Sequence, residues 1–439
     1  MIVKGKLTEK SKAGSRHNLK KFHFVNGLSY MCLGDTVIIL FAVRLNCPDY
    51  FVAILGAMVY LGFILLPLGK IVTAHVGGAR CQSTFRILRN ISAMLVASAT
   101  FFSVSGMHEM ALGMILLGAF LFYGFRAAGV GMFHPLVGEV TDDHNRSHFL
   151  GASSGINSAG CLISLGLISL ILNFTESIWV LSAIIAVGAC MGVFASGYLR
   201  KVHETENLRE SARRPILNEL KQAIRYPRFR RQLLAGFMIN VTIIMTVPAS
   251  ILLLKRGYGI SDTGALLFSM AQLGATILFS YMSGKLSAKI GPRRLIVFAY
   301  FAMPLICLIW IFSPVKFYWP LALIPFVLAG GGIVCMNNSL THYFLQSIPT
   351  ENRVAASIFI AVTGGAGAGV IGMVLGALLM RYTTDINPEA YPLEKYRLYF
   401  TAVLVLLLIG IWVISRLKPL TEESRQRFPL FDYLFTRIR

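Results

Sequence analysis

Apolar residues along this chain gather into blocks of about 20, separated by short polar connections, rather than into amphipathic stripes. A helix needs about that length to cross roughly 30 Å of hydrocarbon. The pattern predicts twelve membrane-spanning segments, at 22–43, 50–69, 89–106, 109–135, 149–172, 176–199, 232–254, 262–284, 295–313, 318–345, 354–380 and 397–415. Blocks such as 89–106 and 398–414 are apolar all round, whereas a membrane barrel needs ten-residue segments of alternating polarity. An all-α polytopic membrane protein is therefore the expected fold class, because lipid leaves no other way to satisfy the backbone.

Composition agrees, with 55% hydrophobic and 14% charged residues and a mean hydropathy of +0.66. Soluble domains carry nearer a quarter charged residues. The net charge of +21 raises the question of nucleic acid, which the placement of the basic residues answers. With a cytoplasmic N-terminus, 33 of 41 Lys/Arg fall on the cytoplasmic side, in 1–21, 70–89, 200–231, 285–294 and 416–439 and at Arg146 and Arg353. That is the positive-inside bias. No nucleic acid partner is expected, and a multi-pass protein of the cytoplasmic (inner) membrane is.

The long polar stretch 200–231 divides the chain into two halves of six segments, 22–199 and 232–415, with tails 1–21 and 416–439 on the cytoplasmic side. The basic linker helix predicted from Pro215 to Ile224 lies against anionic lipid headgroups. The aromatic and basic tail, Phe428 to Ile438, reads as an interfacial anchor. No cleavage site precedes the first apolar block, so no removed signal peptide is expected. Seven cysteines show neither metal spacing nor a disulfide framework, and they read as small core residues. No metal and no cofactor are expected.

Internal repetition supports two related halves. Gly69-Lys70 through Gly77-Gly78-Ala79-Arg80 is echoed by Gly284-Lys285 through Lys289-Ile290-Gly291-Pro292-Arg293-Arg294, and Asn145-Arg146 by Asn352-Arg353. Halves built this way place a binding site near the bilayer midplane.

These residues resemble the major facilitator superfamily, whose loop signature is Gly-x-Leu-x-Asp-Arg-x-Gly-Arg-Arg after the second and eighth helices. The resemblance covers essentially the whole chain. It implies a secondary transporter working by alternating access, and it makes Gly69, Gly77, Arg80, Gly284, Lys289, Gly291, Arg293 and Arg294 the conformational gating loops. Both copies depart from the signature, with Thr73 and Ala288 in the acidic position. In the family that acid helps lock the outward-open state, so here the lock must be weaker or differently built. Arg126-Ala-Ala-Gly129-Val-Gly131 resembles an Arg-containing signature tied to proton coupling. Gly151 through Gly160 resembles an antiporter signature, but Ile156 stands at its proline; close helix packing accounts for the same glycines.

Charges at membrane depth cost about 2.5–3.5 kcal/mol on insertion scales, so each is a candidate for function. Asp35 in the first segment and Arg126 in the fourth stand out. The resemblance places both helices on a central cavity, as in the drug/proton antiporter branch. Asp35 and Arg126 are the expected proton-coupling pair, with a permanent structural pair as the alternative. Arg126, Tyr30, Tyr123, Asn337, Asn338, Asn240 and Gln272 are the candidate solute contacts. The asparagines equally suit helix-to-helix hydrogen bonding. His134 and His342, near the cytoplasmic ends of their segments, are of a type that titrates near neutral pH.

The expected activity is proton-coupled transport of a small organic solute, with export favoured. Proton- or sodium-coupled uptake of an organic anion is the alternative, and lipid translocation or a transporter-like sensor stands behind both. A monomer is expected, and no catalytic residues: neither a nucleoside-triphosphate loop nor a paired-carboxylate arrangement is present, and the glycine run from Gly364 to Gly369 sits in an apolar span.

Overall fold

The computed structural model describes residues 2–45, 47, 51, 55, 58–175, 177–386 and 392–419. In chain order, a short strand β1 (Ile2–Val3) leads into α1 (Glu9–Cys32), α2 (Asp35–Arg44), α3 (Met58–Val76), α4 (Gly78–Val104), α5 (His108–Val130), α6 (Phe133–Val140), α7 (Asp143–Phe174) and α8 (Ile178–Arg200). The linker follows as β2 (Glu204–Thr205), α9 (Glu206–Arg213) and α10 (Ile216–Arg225). The second half holds α11 (Pro227–Leu252), α12 (Asp262–Ile290), α13 (Pro292–Tyr300), α14 (Ala302–Ile311), α15 (Trp319–Ser347), α16 (Arg353–Ile360), α17 (Ala368–Ile386) and α18 (Pro392–Ser415).

Ten helical stretches among the described residues are long and apolar enough to cross a membrane. The predicted first segment is helical as well, as α1 and α2, and the predicted eighth is α12. The chain is thus an all-α polytopic membrane protein. The terminal segment 428–438 and residues 387–391 of the 381–396 connection lie outside the described residues.

Helix boundaries differ from the sequence expectation in several places, two of them for a visible reason. Residues 9–21 are not a free tail but the first turns of α1, started by Thr8, whose Oγ1 accepts from the Ser11 amide at 3.3 Å. Their polar side chains are used: Lys12 Nζ pairs with Asp142 at 2.6 Å and Arg16 donates to the Val140 carbonyl at 3.0 Å. The predicted loop 70–89 shrinks to Gly77 alone, because α3 runs to Val76 and α4 begins at Gly78.

Gly77 turns the chain with φ +90° and ψ 165°, and Gly291 repeats that turn between α12 and α13 with φ +89° and ψ 152°. Only glycine adopts this backbone region readily. The repeat read from the loops is therefore a repeat of backbone geometry too. Because a side chain at Gly77 would also collide with the buried Glu204 carboxylate, Gly77→Ala is expected to destabilise the protein by about 1–3 kcal/mol. A lowered melting temperature of the purified protein in detergent is the check.

The chain forms two compact units. One holds residues 1–142, 156–221 and 350–362, and the other 143–155, 222–349 and 363–439. Two helical pieces, 143–155 and 350–362, join the unit other than their chain neighbours'. In the second unit the start of α7 lies on α12, where Gly151 and Gly284 leave no room for side chains against the Ser280 carbonyl and the Ser147–His148 backbone. In the first unit α16 packs on α6, with Ile358 filling the space beside Gly131. Further along α7, within the first unit, Gly160 meets the α1 backbone at Phe24, and Gly27 meets the Asn157 carbonyl. The glycines of the antiporter-like signature thus serve close helix approach.

Each unit has its own core. In the first, Phe41, Phe122, Ile115, Leu181 and Ile185 are fully buried. In the second, Trp310, Phe326 and Phe400 are, and the Trp310 indole N–H donates to Ser250 Oγ at 2.9 Å. The glycine run falls on a π-helical stretch, Ala361–Gly367, and a second such stretch, Leu253–Gly257, ends α11.

Candidate functional site

In the first unit, Phe22, Asn26 and Tyr30 of α1 stand four residues apart and so share one helix face. Two guanidinium groups from other helices lie along that stripe. Arg86 of α4 sits over the Phe22 ring, 5.4 Å from its centroid, and donates from Nη1 to Asn26 Oδ1 at 3.2 Å. Arg126 of α5 sits over the Tyr30 ring at 5.3 Å, and its Nη2 donates to the Tyr30 hydroxyl at 3.3 Å.

Behind them Arg89 is 1% exposed. Its Nε and Nη2 donate to Asn90 Oδ1 at 3.2 and 2.9 Å, and its guanidinium lies 5.4 Å from the Phe122 ring centroid. Both Arg86 and Arg126 are within electrostatic reach of Arg89. Cation–π contacts of this kind are worth ~2 kcal/mol when desolvated, less than the several kcal/mol lost on moving one ion out of water. Arg86 and Arg89 form no ion pair with a carboxylate among the described residues, and Arg86 Nε, Arg89 Nη1 and Asn90 Nδ2 have no hydrogen-bond partner there. Gln82, one turn before Arg86 on the same face, is likewise buried, with both polar atoms unmatched. Among the described residues, Arg86 and Arg89 bring positive charge and unused donors to this region.

The predicted residues distribute unevenly around this cluster. Tyr30 and Arg126 are brought together. Tyr123 is 3% exposed and sits in the core with its ring edge-on to Phe122 at 5.1 Å. Asp35 opens α2 just after the helix breaks at Leu33–Gly34, and its side chain lies outside the described residues.

In the second unit the predicted solute contacts do not converge. Asn338 accepts from Ser154 Oγ at 2.7 Å and donates to Ser283 Oγ at 2.9 Å, bracing α15 against α7 and α12. Asn337 is exposed. Asn240 donates to the Gly236 carbonyl of its own helix at 2.9 Å, and the Gln272 carbonyl marks a close crossing with Gly330. His342 is buried, with Nδ1 2.9 Å from Ser287 Oγ, rather than placed at a surface. His134 lies beside Phe133, ring centroids 5.5 Å apart.

A family model described as Major Facilitator Superfamily matches residues 90–373, more than half of the chain. The chain belongs to the major facilitator superfamily. Superfamily folds among solved structures match nearly its whole length. The E. coli fucose:proton symporter shares 12% identity over 91% of this chain and 99% of that one, with a TM-score of 0.66. A proton:xylose symporter shares 13% over 92% and 96%, at 0.69. The human organic anion transporter shares 11% over 92% and 99%, at 0.68. No curated protein matches the sequence. The protein is a multi-pass membrane transporter and not an enzyme.

The superfamily's loop signature acquires a partner that the sequence reading did not supply. Glu204, 1% exposed and 126 residues from Gly78 along the chain, accepts the Gly78 and Ala79 amides at 2.7 and 3.1 Å through Oε2. It caps the start of α4, where a carboxylate meets the free N–H groups of a helix N-terminus. Burial pushes its carboxyl above the usual range, against the pull of those two amides. β2, which carries it, pairs in parallel with β1, and Arg209 and Arg213 of α9 both donate to the Ala74 carbonyl at 3.2 Å. Within the other loop, Arg293 donates to the Ser415 carbonyl at 3.1 Å, Arg294 is buried, and Lys289 is exposed, as is Arg80 in the first loop.

Sequence reading missed Arg86 and Arg89 because it counted them in the 70–89 loop. The signal was present in their spacing: Gln82, Arg86, Arg89 and Asn90 recur at intervals that share one helix face. A helix begun at Gly78 carries that face two to three turns inward.

Proposed function

We propose that the protein carries a small organic anion across the cytoplasmic membrane by alternating access, inward and together with a proton, and that it works as a monomer. The observation that supports this reading is the arginine cluster on the α1 stripe, in which Arg126 and Tyr30 meet the solute. Two unit charges 4 Å apart interact by about 4 kcal/mol at the effective dielectric typical near a protein surface. That is enough to choose the sign of the solute, and it opposes export of an amphipathic cation.

Asp35 is the coupling carboxylate in this proposal. Protonated, it lets the positive site hold its anion fully; ionised, it competes for Arg126 and helps release the solute. Asp35→Asn is expected to retain binding and exchange of the anion while losing accumulation driven by a pH gradient. Proteoliposomes with an imposed pH or sodium gradient make the measurement. Unchanged proton-driven accumulation removes Asp35 from coupling, and accumulation driven by sodium alone replaces the ion.

The reading is tested by thermal-shift titration of the purified protein with size-matched organic anions, cations and neutral solutes. Stabilisation confined to anions supports it, and stabilisation by cations alone overturns it.

A further inference from the structure

The charge on the solute can be narrowed further, on the basis of the anion reading above. We infer that the site takes a small organic dianion, with one negative charge on Arg126, the second on Arg86, and Arg89 positioned behind to hold that second charge.

The α1 stripe brings the two charges to neighbouring turns. Arg86 is tethered at Asn26 and Arg126 at Tyr30, one helical turn apart, which is about 6 Å at 1.5 Å per residue. Two guanidinium groups from different helices, held at neighbouring turns of one stripe, offer two cationic contacts, one for each charge of a dianion.

Arg86 and Arg89 are both committed to neutral partners. Among the described residues, their hydrogen bonds go to the Asn26 and Asn90 side-chain oxygens, and their guanidinium groups lie over the faces of Phe22 and Phe122. Asparagine oxygens and aromatic faces orient a guanidinium but leave its charge uncancelled. The buried Arg89 Nη1, together with Arg86 Nε and Asn90 Nδ2, keeps donors unused. With surplus positive charge and spare donors among the described residues, the region is complementary to an acceptor-only group such as a carboxylate or phosphate. Arg89 acts at one remove: fully buried, it raises the positive potential at Arg86 and keeps Asn90 oriented on the α4 face. Gly192 of α8 makes room for that amide, since any side chain there would collide with it.

The test is calorimetric binding to the full-length protein in detergent, comparing the dianions succinate and glutarate with the chain-matched monoanions butyrate and valerate. Glycerol phosphate is included as a phosphate dianion. The wild type is expected to bind at least one dianion tenfold or more tighter than its monoanion counterpart, the equivalent of one well-made charge contact. Arg86→Gln is expected to bring the two within about threefold by weakening the dianion alone, since 1.4 kcal/mol is a factor of ten. Arg86→Lys is expected to keep part of the preference. Arg89→Gln is expected to reduce the preference as well; should it fail to fold, Arg89→Lys gives the readout. Equal binding of dianions and monoanions by the wild type, or a preference unchanged in Arg86→Gln, overturns the inference and leaves the anion reading standing. Binding of none of these anions, with organic cations binding instead, overturns both.

Discussion

Arg126→Ala is expected to lower the initial rate of organic-anion uptake into proteoliposomes by about 30-fold or more, in line with the 2–5 kcal/mol lost when one partner of a buried charge contact is removed. Arg126 donates to Tyr30 and stacks on its ring, so the substitution removes both the charge proposed to meet the solute and the group that orders the tyrosine. Arg126→Lys separates these effects. A lysine retains the charge as a point but not the planar fork or the stacking surface, and its uptake should fall between the two. The loss must appear in transport with the melting temperature little changed, because Arg126 is half-buried and outside the fully buried core. A large fall in melting temperature instead makes Arg126 a structural residue.

Gly69→Leu is expected to cost about 3 kcal/mol or more of stability, at the upper end of overpacking penalties. The reason is geometric. Any side chain at Gly69 would run into the Ala128 carbonyl of α5, a backbone group that cannot turn aside. The Gly69 carbonyl is also in use, accepting from Thr73 Oγ1 at 2.7 Å and from Cys81 Sγ at 3.2 Å. Poor yield and early aggregation on heating are the expected readouts. A variant that folds normally but transports more slowly assigns Gly69 to gating rather than to helix packing.

Much of the fold was legible because lipid simplifies the sequence signal: uncharged stretches of about 20 residues have few alternatives. The segments from 109–135 to 176–199 and from 295–313 to 354–380 all coincide with observed spans. Helix ends were less legible, since polar residues at the membrane surface read equally well as loop. Glu9–Lys21 and Gly78–Arg89 are helical because partners distant in sequence satisfy them, Asp142 and Val140 for the first and Glu204 for the second. Nothing local to those stretches announces such partners.

The same blindness hid most of the candidate site. Arg126 stood out by interrupting an apolar block, and Tyr30 by its neighbourhood, but Arg86 and Arg89 appeared to belong to the positive-inside count. Asn338 was legible as a polar residue at depth. Its role between Ser154 and Ser283 was not, because a hydrogen-bonding side chain looks the same in sequence whether its partner is a solute or another helix.

The most direct test of the proposed anion site is counterflow in proteoliposomes. Vesicles loaded with an unlabelled organic anion are diluted into a trace of the same anion carrying a label, with no ion gradient present. Transient accumulation of the label is the expected result, inhibited by other organic anions, indifferent to amphipathic cations, and absent in Arg126→Ala. Counterflow of a cationic solute, with none for any organic anion, contradicts the account.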